Sequence, residues 1–362
     1  MARRRQAVTI KHVAADAGVS LQTVSRVINK EINVRPEMKN RVQASIDKLG
    51  YVPSIAAQRM SGSRSYLILA LNDRERTIAD WCAREGTDWV DQMLMGGMLE
   101  CAKHGYRLIF ELVDTHSDHV ERELQGCIAA LQPDGVILTP PHSDNPQITD
   151  LLRSQKIPFA QIGSTGGNGG IALIMGDEGA ARTATRFLLD LGHERIGFIK
   201  GAEEYMLSSW RKAGWKAEMS GANLPIEGLC AEGDFTYESG LVATRQLLAL
   251  DPRPTAIVAS SDHMAMATVE IAREMGLDVP NDLSVISFDN TPMTLFSTPA
   301  LTAIDQPIAE TTALAVELIV AAQRGLPLPD GPTIVAASLI ERESTAPPAN
   351  GQQLRRAGAA KR

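Results

Sequence analysis

The segment TIKHVAADAGVSLQTVSRVIN, beginning at Thr9, sets Ile10, Val13, Ala14 and Ala17 at helical i, i+3, i+4 and i+7 spacing, the stripe of a short amphipathic helix. Gly18 supplies the positive φ that a tight turn needs. Ser20 is placed to cap a second helix, whose Val24, Val27 and Ile28 form an inward face. Two short helices joined this closely predict a helix-turn-helix. The outward face of the second helix carries Leu21, Gln22, Thr23, Ser25, Arg26 and Asn29. Gln pairs bidentately with adenine and Arg with guanine when the N-terminal end of such a helix enters the major groove, so this face is a candidate DNA reader.

Further along, the pattern changes. Apolar runs YLILALN, YRLIFELV, GVILTP and PFAQIG alternate with helical stretches such as WVDQMLMGGMLECAKHG. A second set follows Gly170: IALIMG, a helix from Asp177 to His193, RIGFIKG, a helix from Ser208, AIVASS, a helix from Asp262, and LSVISFDN. Strands alternating with helices predict parallel sheets covered on their faces, here as two doubly wound subdomains. The expected fold is therefore an all-α helix-turn-helix head followed by an α/β core. In such sheets ligands lie beyond the carboxyl ends of the strands. Asn72, Asp73, Gln161, Asp262 and Asp289 stand at those ends and are the candidate ligand residues.

These patterns divide the chain into a DNA-binding head over 1–52, a Pro/Ser/Gly hinge and linker over 53–65, a core over 66–343, and a disordered tail over 344–362. Within the core, an N-subdomain is expected over about 66–163 plus 292–325, and a C-subdomain over about 164–291 plus 326–343.

Charge sharpens the division. The net charge of −7 hides a head of 12 Lys/Arg against 4 Asp/Glu in residues 1–65 and a core of 20 against 39 in residues 66–343. Only the basic end suits phosphate neutralisation. At 362 residues the chain has ample length to bury large cores. Its four cysteines, Cys82, Cys101, Cys127 and Cys230, lie far apart with no CxxC pair. They read as buried apolar residues of a reducing cytosol rather than zinc ligands, and neither metal nor cofactor is expected. The basic start MARRRQAVTI is followed by no signal-length apolar run, and no stretch reaches the ~18 apolar residues of a membrane span. A cytoplasmic protein without a membrane partner is expected.

Several acids in one cleft invite glycoside hydrolysis. No GxSxG elbow, P-loop or HExxH occurs, however, and GSTGGNGG precedes a strand instead of linking strand to helix. A non-enzymatic sensor is expected. A transport-type sugar-binding protein would share the core, but neither the head nor the missing signal peptide fits it.

The head segment, together with GYVPSIAAQRMSG, resembles the lactose/galactose repressor family. The likeness continues through LLDLGHERIGFIKG, AIVASSDHMAMATVEIAREMGLDVPNDLSVISFDN and LTAIDQP. It implies a core of periplasmic-binding-protein type and a hinge from Pro53 to Ser61 that becomes helical on operator DNA. In the family a hinge apolar residue wedges into the minor groove, unstacking a base step. Met60 matches that position and Ala57 lies on the same hinge, whereas Ser54 stands where Asn is usual.

The same resemblance makes Leu21, Gln22 and Arg26 base readers, and Thr9, Ser20, Thr23, Ser25, Asn29 and Tyr51 backbone contacts or supports. It adds Trp89, Arg211 and Gln306 to the ligand residues, with Trp89 or Trp210 as a platform for a pyranose ring. One head spans one half-site, so a homodimer on double-stranded operator DNA is implied. The apolar stripe of QPIAETTALAVELIVAAQRG, with Met93, Met95 and Met98, offers either a subunit face or ordinary core. The implied function is a repressor of carbohydrate-use genes, released when a sugar closes the cleft. A purine or another small molecule is the alternative effector.

Overall fold

The computed structural model describes residues 8–28, 33–51, 64–84, 87–167 and 169–349. The chain divides into two compact units, Met1–Tyr66 and Leu67–Arg362. The first is helical: α1 (Ile10–Ala17), α2 (Leu21–Ile28) and α3 (Pro36–Leu49) pack around Val13, Ala17, Val24, Val42 and Tyr51. Between α1 and α2, Gly18 takes φ +61°, a conformation that costs a non-glycine residue about 1–2 kcal/mol. Ser20 caps α2 by accepting the Thr23 amide at 3.1 Å. Arg41, from α3, donates to the Ala17 carbonyl at 2.6 Å and ties the turn to the third helix.

The second unit has two lobes, each built on a sheet of six strands. The first sheet contains β1 (Leu67–Asp73), β2 (Arg107–Val113), β3 (Gly135–Leu138), β4 (Phe159–Ile162), β5 (Ile171–Ile174) and β11 (Thr333–Ile334). Their spatial order is β2-β1-β3-β4-β5-β11. Its helices are α4 (Arg74–Ala83), α5 (Thr87–His104), α6 (Val120–Leu131), α7 (Pro146–Ser154) and α13 (Ile308–Gln323). The second sheet contains β6 (Ile196–Lys200), β7 (Cys230–Glu232), β8 (Ala256–Ala259), β9 (Ser284–Asp289), β10 (Thr302–Asp305) and β12 (Ser338–Ile340). They follow the order β7-β6-β8-β9-β10-β12. With it go α8 (Asp177–Asp190), α9 (Met206–Gly221), α10 (Tyr237–Leu248), α11 (Asp262–Glu274) and the short α12 (Met293–Phe296). β12 runs antiparallel to β10, and all other strand pairs are parallel.

Buried on both faces, the central strands carry little but aliphatic side chains. Leu69, Leu71, Val136, Leu138 and Phe159 pack under α6 and α7 in the first lobe. Phe198, Val258, Ile286 and Ile304 meet Trp215 and α8 in the second. The α13 stripe is ordinary core, with Ala315, Val316, Ile319 and Val320 buried. Its close approach to α5 depends on Gly96, where a Cβ would fall 2.0 Å from the Ala309 carbonyl oxygen.

The lobe boundaries differ from those expected. β5 belongs to the first sheet, pairing with β4 from Ala160↔Ile171 onward, so the chain crosses after residue 174 and not at 163. The Gly-rich loop conceals this, because it returns the chain to the same sheet without the usual helix; Gly163 donates its amide to Leu173 O at 2.8 Å. β10 joins the second sheet beside β9, which moves the return crossing from 291 to beyond 305. β11, in the stretch expected for the C-subdomain, pairs with β5 in the first sheet.

Nor does disorder begin at 344. Ser344 is fully buried, its Oγ donating to Val285 O at 2.6 Å. His193 Nε2 lies 2.9 Å from Ala346 O. These partners are distant in sequence, and STAPPAN has no periodicity of its own to reveal them. Among the described residues, no helix is long and apolar enough to cross a membrane.

Candidate functional site

Both sheets reverse their strand order at the first strand, between β1 and β3 and between β6 and β8, which opens a crevice at their carboxyl ends. The two crevices line one cavity of about 170 Å³ between the lobes. From the first lobe come Asn72 and Asp73 at the end of β1, Arg76 and Asp80 on α4, and Trp89 on α5. From the second come Tyr205, Arg211, Phe235, Asp289 and Gln306.

Arg211 forms the floor. It projects from α9, is 2 % exposed, and donates through Nε to Asp177 Oδ1 at 2.8 Å and through Nη1 to Ser260 O at 2.7 Å. Its guanidinium lies 4.5 Å from the centroid of the Phe288 ring, a cation–π contact in a dry setting. One residue on, Asp289 adopts φ +99°. Its Oδ1 accepts from Gln306 Nε2 at 2.5 Å. Burial pushes the Asp289 carboxyl above the usual carboxylate range, opposed by the nearby Arg211 charge. Asp177 Oδ2 and Gln306 Oε1, on the two residues that bond Arg211 and Asp289, are buried without a hydrogen-bond partner among the described residues, as is Ser208 Oγ on α9.

The wall from the first lobe is more fully committed. Asp73 caps α4 by accepting the Arg76 amide at 2.9 Å, and its other oxygen accepts Thr115 Oγ1 at 2.6 Å. Burial alone would raise its pKa, but the hydrogen bonds from Thr115 and Arg76 lower it overall. Asn72 Oδ1 accepts from Thr139 Oγ1 at 2.7 Å.

Two expected ligand residues stand elsewhere. Gln161 is fully buried within β4 and donates to Ser143 O at 2.5 Å. Asp262, also fully buried, accepts the Thr291 amide at 2.6 Å and braces the turn after β9. Burial, reinforced by the neighbouring Asp289, pushes its pKa up to about 8. Trp210 does not line the cavity, whereas Arg76, Asp80, Tyr205 and Phe235 do. Tyr205 and Phe235 follow β6 and β7, so the strand-end rule would have found them had aromatic residues been included.

In the head, Leu21, Gln22 and Arg26 are exposed on α2. Ser20 and Thr23 are engaged in the cap, their hydroxyls 2.9 Å apart. Ser25 is half-buried. Thr9 is exposed and donates its amide to His12 Nδ1 at 3.0 Å. Tyr51 is buried in the head core. Asn29, Ala57, Met60 and most of the hinge lie outside the described residues. Along α5, Met93 is fully buried, whereas Met95, Met98 and Leu99 are exposed.

The model of bacterial regulatory proteins of the lacI family matches residues 9–54, and that of the periplasmic binding protein-like domain matches 185–345. Catabolite control protein A of Priestia megaterium is 32 % identical over 316 residues, 86 % of this chain and 91 % of that protein. The chain belongs to the LacI family. A second LacI-family relative, the HTH-type transcriptional repressor CytR of Escherichia coli (strain K12), is 30 % identical over 95 % of this chain and 98 % of its own length. The solved complex of the transcriptional regulator CelR with cellobiose superposes with a TM-score of 0.69 at 28 % identity, covering 93 % of this chain and 99 % of that one. LacI-family membership places the exposed face of α2 in a DNA-binding head and makes the chain a transcriptional regulator.

Proposed function

We propose that this regulator represses carbohydrate-use genes by holding operator DNA as a homodimer, and that a sugar in the interlobe cavity releases it. The observation that carries the reading is the cavity itself: guanidinium, carboxyl and amide groups converge on its floor beside Trp89, Tyr205 and Phe235. Charged, bidentate hydrogen bonding suits vicinal hydroxyls, and aromatic faces suit a pyranose. The likeness to the CelR–cellobiose complex supports the same effector class. Asn72, Asp73, Trp89, Arg211, Asp289 and Gln306 are the effector residues in this reading. Gln161 and Asp262 act from beneath, by fixing the strand and turn they bond.

Leu21, Gln22 and Arg26 read bases, and Thr9, Ser20, Thr23, Ser25, Asn29 and Tyr51 contact the backbone or position the helix. Ala57 and Met60 bring the hinge into the minor groove. Exposed Met95, Met98 and Leu99 supply apolar surface for the dimer. The protein works in the cytoplasm as a sensor and not as an enzyme.

Effector and operator are linked, so a sugar that weakens DNA binding must itself bind less tightly to the DNA complex by the same factor. Fluorescence anisotropy of labelled upstream DNA, repeated with a panel of sugars and purines, tests this. Release by one sugar is expected. Release by a purine alone overturns the carbohydrate assignment, and the absence of sequence-selective binding overturns the head assignment.

A further inference from the structure

Among the described residues, a hydrogen bond and an ion-pair contact span the two lobes near the cavity. On one side, Arg76 Nη1 donates to the Asp234 carbonyl at 3.0 Å, linking α4 of the first lobe to the loop after β7 of the second. On another, His116 Nε2 lies 3.2 Å from Glu204 Oε2, joining the loop after β2 to the loop after β6. Arg76 is held at both ends: its amide is bonded to Asp73, and its Nε donates to Asp80 Oδ2 at 3.1 Å. The receiving loop is equally set, since Asp234 Oδ1 accepts the Thr236 amide at 2.9 Å. Arg76, Asp80, Tyr205 and Phe235 all face the cavity, and Tyr205 meets Phe235 edge to face at 5.6 Å.

The helix that carries Arg76 is lightly anchored. In α4 only Thr77 is buried, and Ile78 and Trp81 are exposed. The space it helps enclose, about 170 Å³, falls below the roughly 300–1,000 Å³ typical of pockets for drug-sized ligands. A second sugar ring therefore has room only if a cross-lobe contact opens.

We propose that the effector is a single-ring polyhydroxylated molecule, a free monosaccharide in size, and that Arg76 sets this limit by latching α4 onto the second lobe at the Asp234 carbonyl. The inference rests on the carbohydrate reading above and narrows it. Arg76 acts as a positioning residue: it holds the lobes closed around one ring flanked by Trp89 and the Tyr205–Phe235 pair. Its charge makes the bond to the Asp234 carbonyl stronger than a neutral one.

Calorimetric titration of the full chain with a panel of pentoses and hexoses, and with their α- and β-linked disaccharides, tests the size limit. Wild type is expected to bind one monosaccharide and to reject its disaccharides. Arg76→Ala should bind that monosaccharide at least roughly tenfold more weakly, the loss expected for one charge-assisted hydrogen bond, and should accept the disaccharide. Arg76→Lys should recover part of the selectivity. If wild type binds a disaccharide as tightly as any monosaccharide, the size limit is wrong and the carbohydrate reading stands. If it binds no sugar, the carbohydrate reading itself fails. Hydrogen exchange of the ligand-free proteins gives a readout independent of sugar. Amides of 234–240 should exchange faster in Arg76→Ala while the β-sheet core is unchanged, and identical exchange there overturns the latch.

Discussion

Replacing Arg211 by Met would separate its two roles. The side chain is almost wholly enclosed, and its ion pair with Asp177 is shielded on both sides, at 3 % and 1 % side-chain exposure. Removing one partner of such a pair strands the other charge, at a typical cost of about 3–5 kcal/mol. Met fills much of the same space with an unbranched apolar chain, and gives up the ion pair together with the contact to Phe288 and the hydrogen bond to Ser260 O. With an unfolding entropy of about 2.1 cal/mol/K per residue, each kcal/mol corresponds to about 1.6 °C of melting temperature in the unit Leu67–Arg362, so Arg211→Met should melt at least about 5 °C below wild type. Arg211→Met combined with Asp177→Asn removes both charges and should regain most of that loss. Anisotropy on operator DNA then separates folding from sensing: the double variant should bind DNA yet fail to respond to sugar. If Arg211→Met melts within about 2 °C of wild type, the buried pair is not what holds the floor. If the double variant still responds to sugar, Arg211 is not an effector ligand.

Two further outcomes follow from buried or strained positions. The pKa of Asp262 rises from 3.8 to about 8 on folding, so the folded chain holds a proton that the unfolded chain has released. Its stabilising contribution is complete below about pH 4 and is lost as pH climbs to about 8. Asp262→Asn, which cannot ionise, should gain melting temperature relative to wild type between pH 5 and pH 9, approximate bounds of that window; a pH-independent difference would refute the assignment. Gly18→Ala should cost the head about 1–2 kcal/mol, because φ is +61° and the new Cβ would lie 2.8 Å from Arg41 Nη2. Faster hydrogen exchange across residues 10–28 is the expected sign, and unchanged exchange would show that the turn is not strained.

Local chemistry made the head legible from sequence. The stripe from Ile10 to Ala17, the Gly18 turn and the Ser20 cap all act within one or two helical turns, where spacing alone sets what faces what. Alternation likewise announced two parallel sheets, because strands covered on both faces carry unbroken apolar runs whatever they pair with. Their ends placed Asn72, Asp73 and Asp289 at the cavity. Those same runs conceal which sheet a strand enters. IALI of β5 and TAID of β10 each join the sheet opposite to the one their position along the chain suggests, since pairing is decided by neighbours far along the chain. Strand-end position also says nothing about side-chain direction, which is why Gln161 and Asp262 turn to internal hydrogen bonds and do not line the cavity. Arg76 meets Asp234 across 158 residues; no local pattern encodes that bond, and only closure of the two lobes brings the pair within reach.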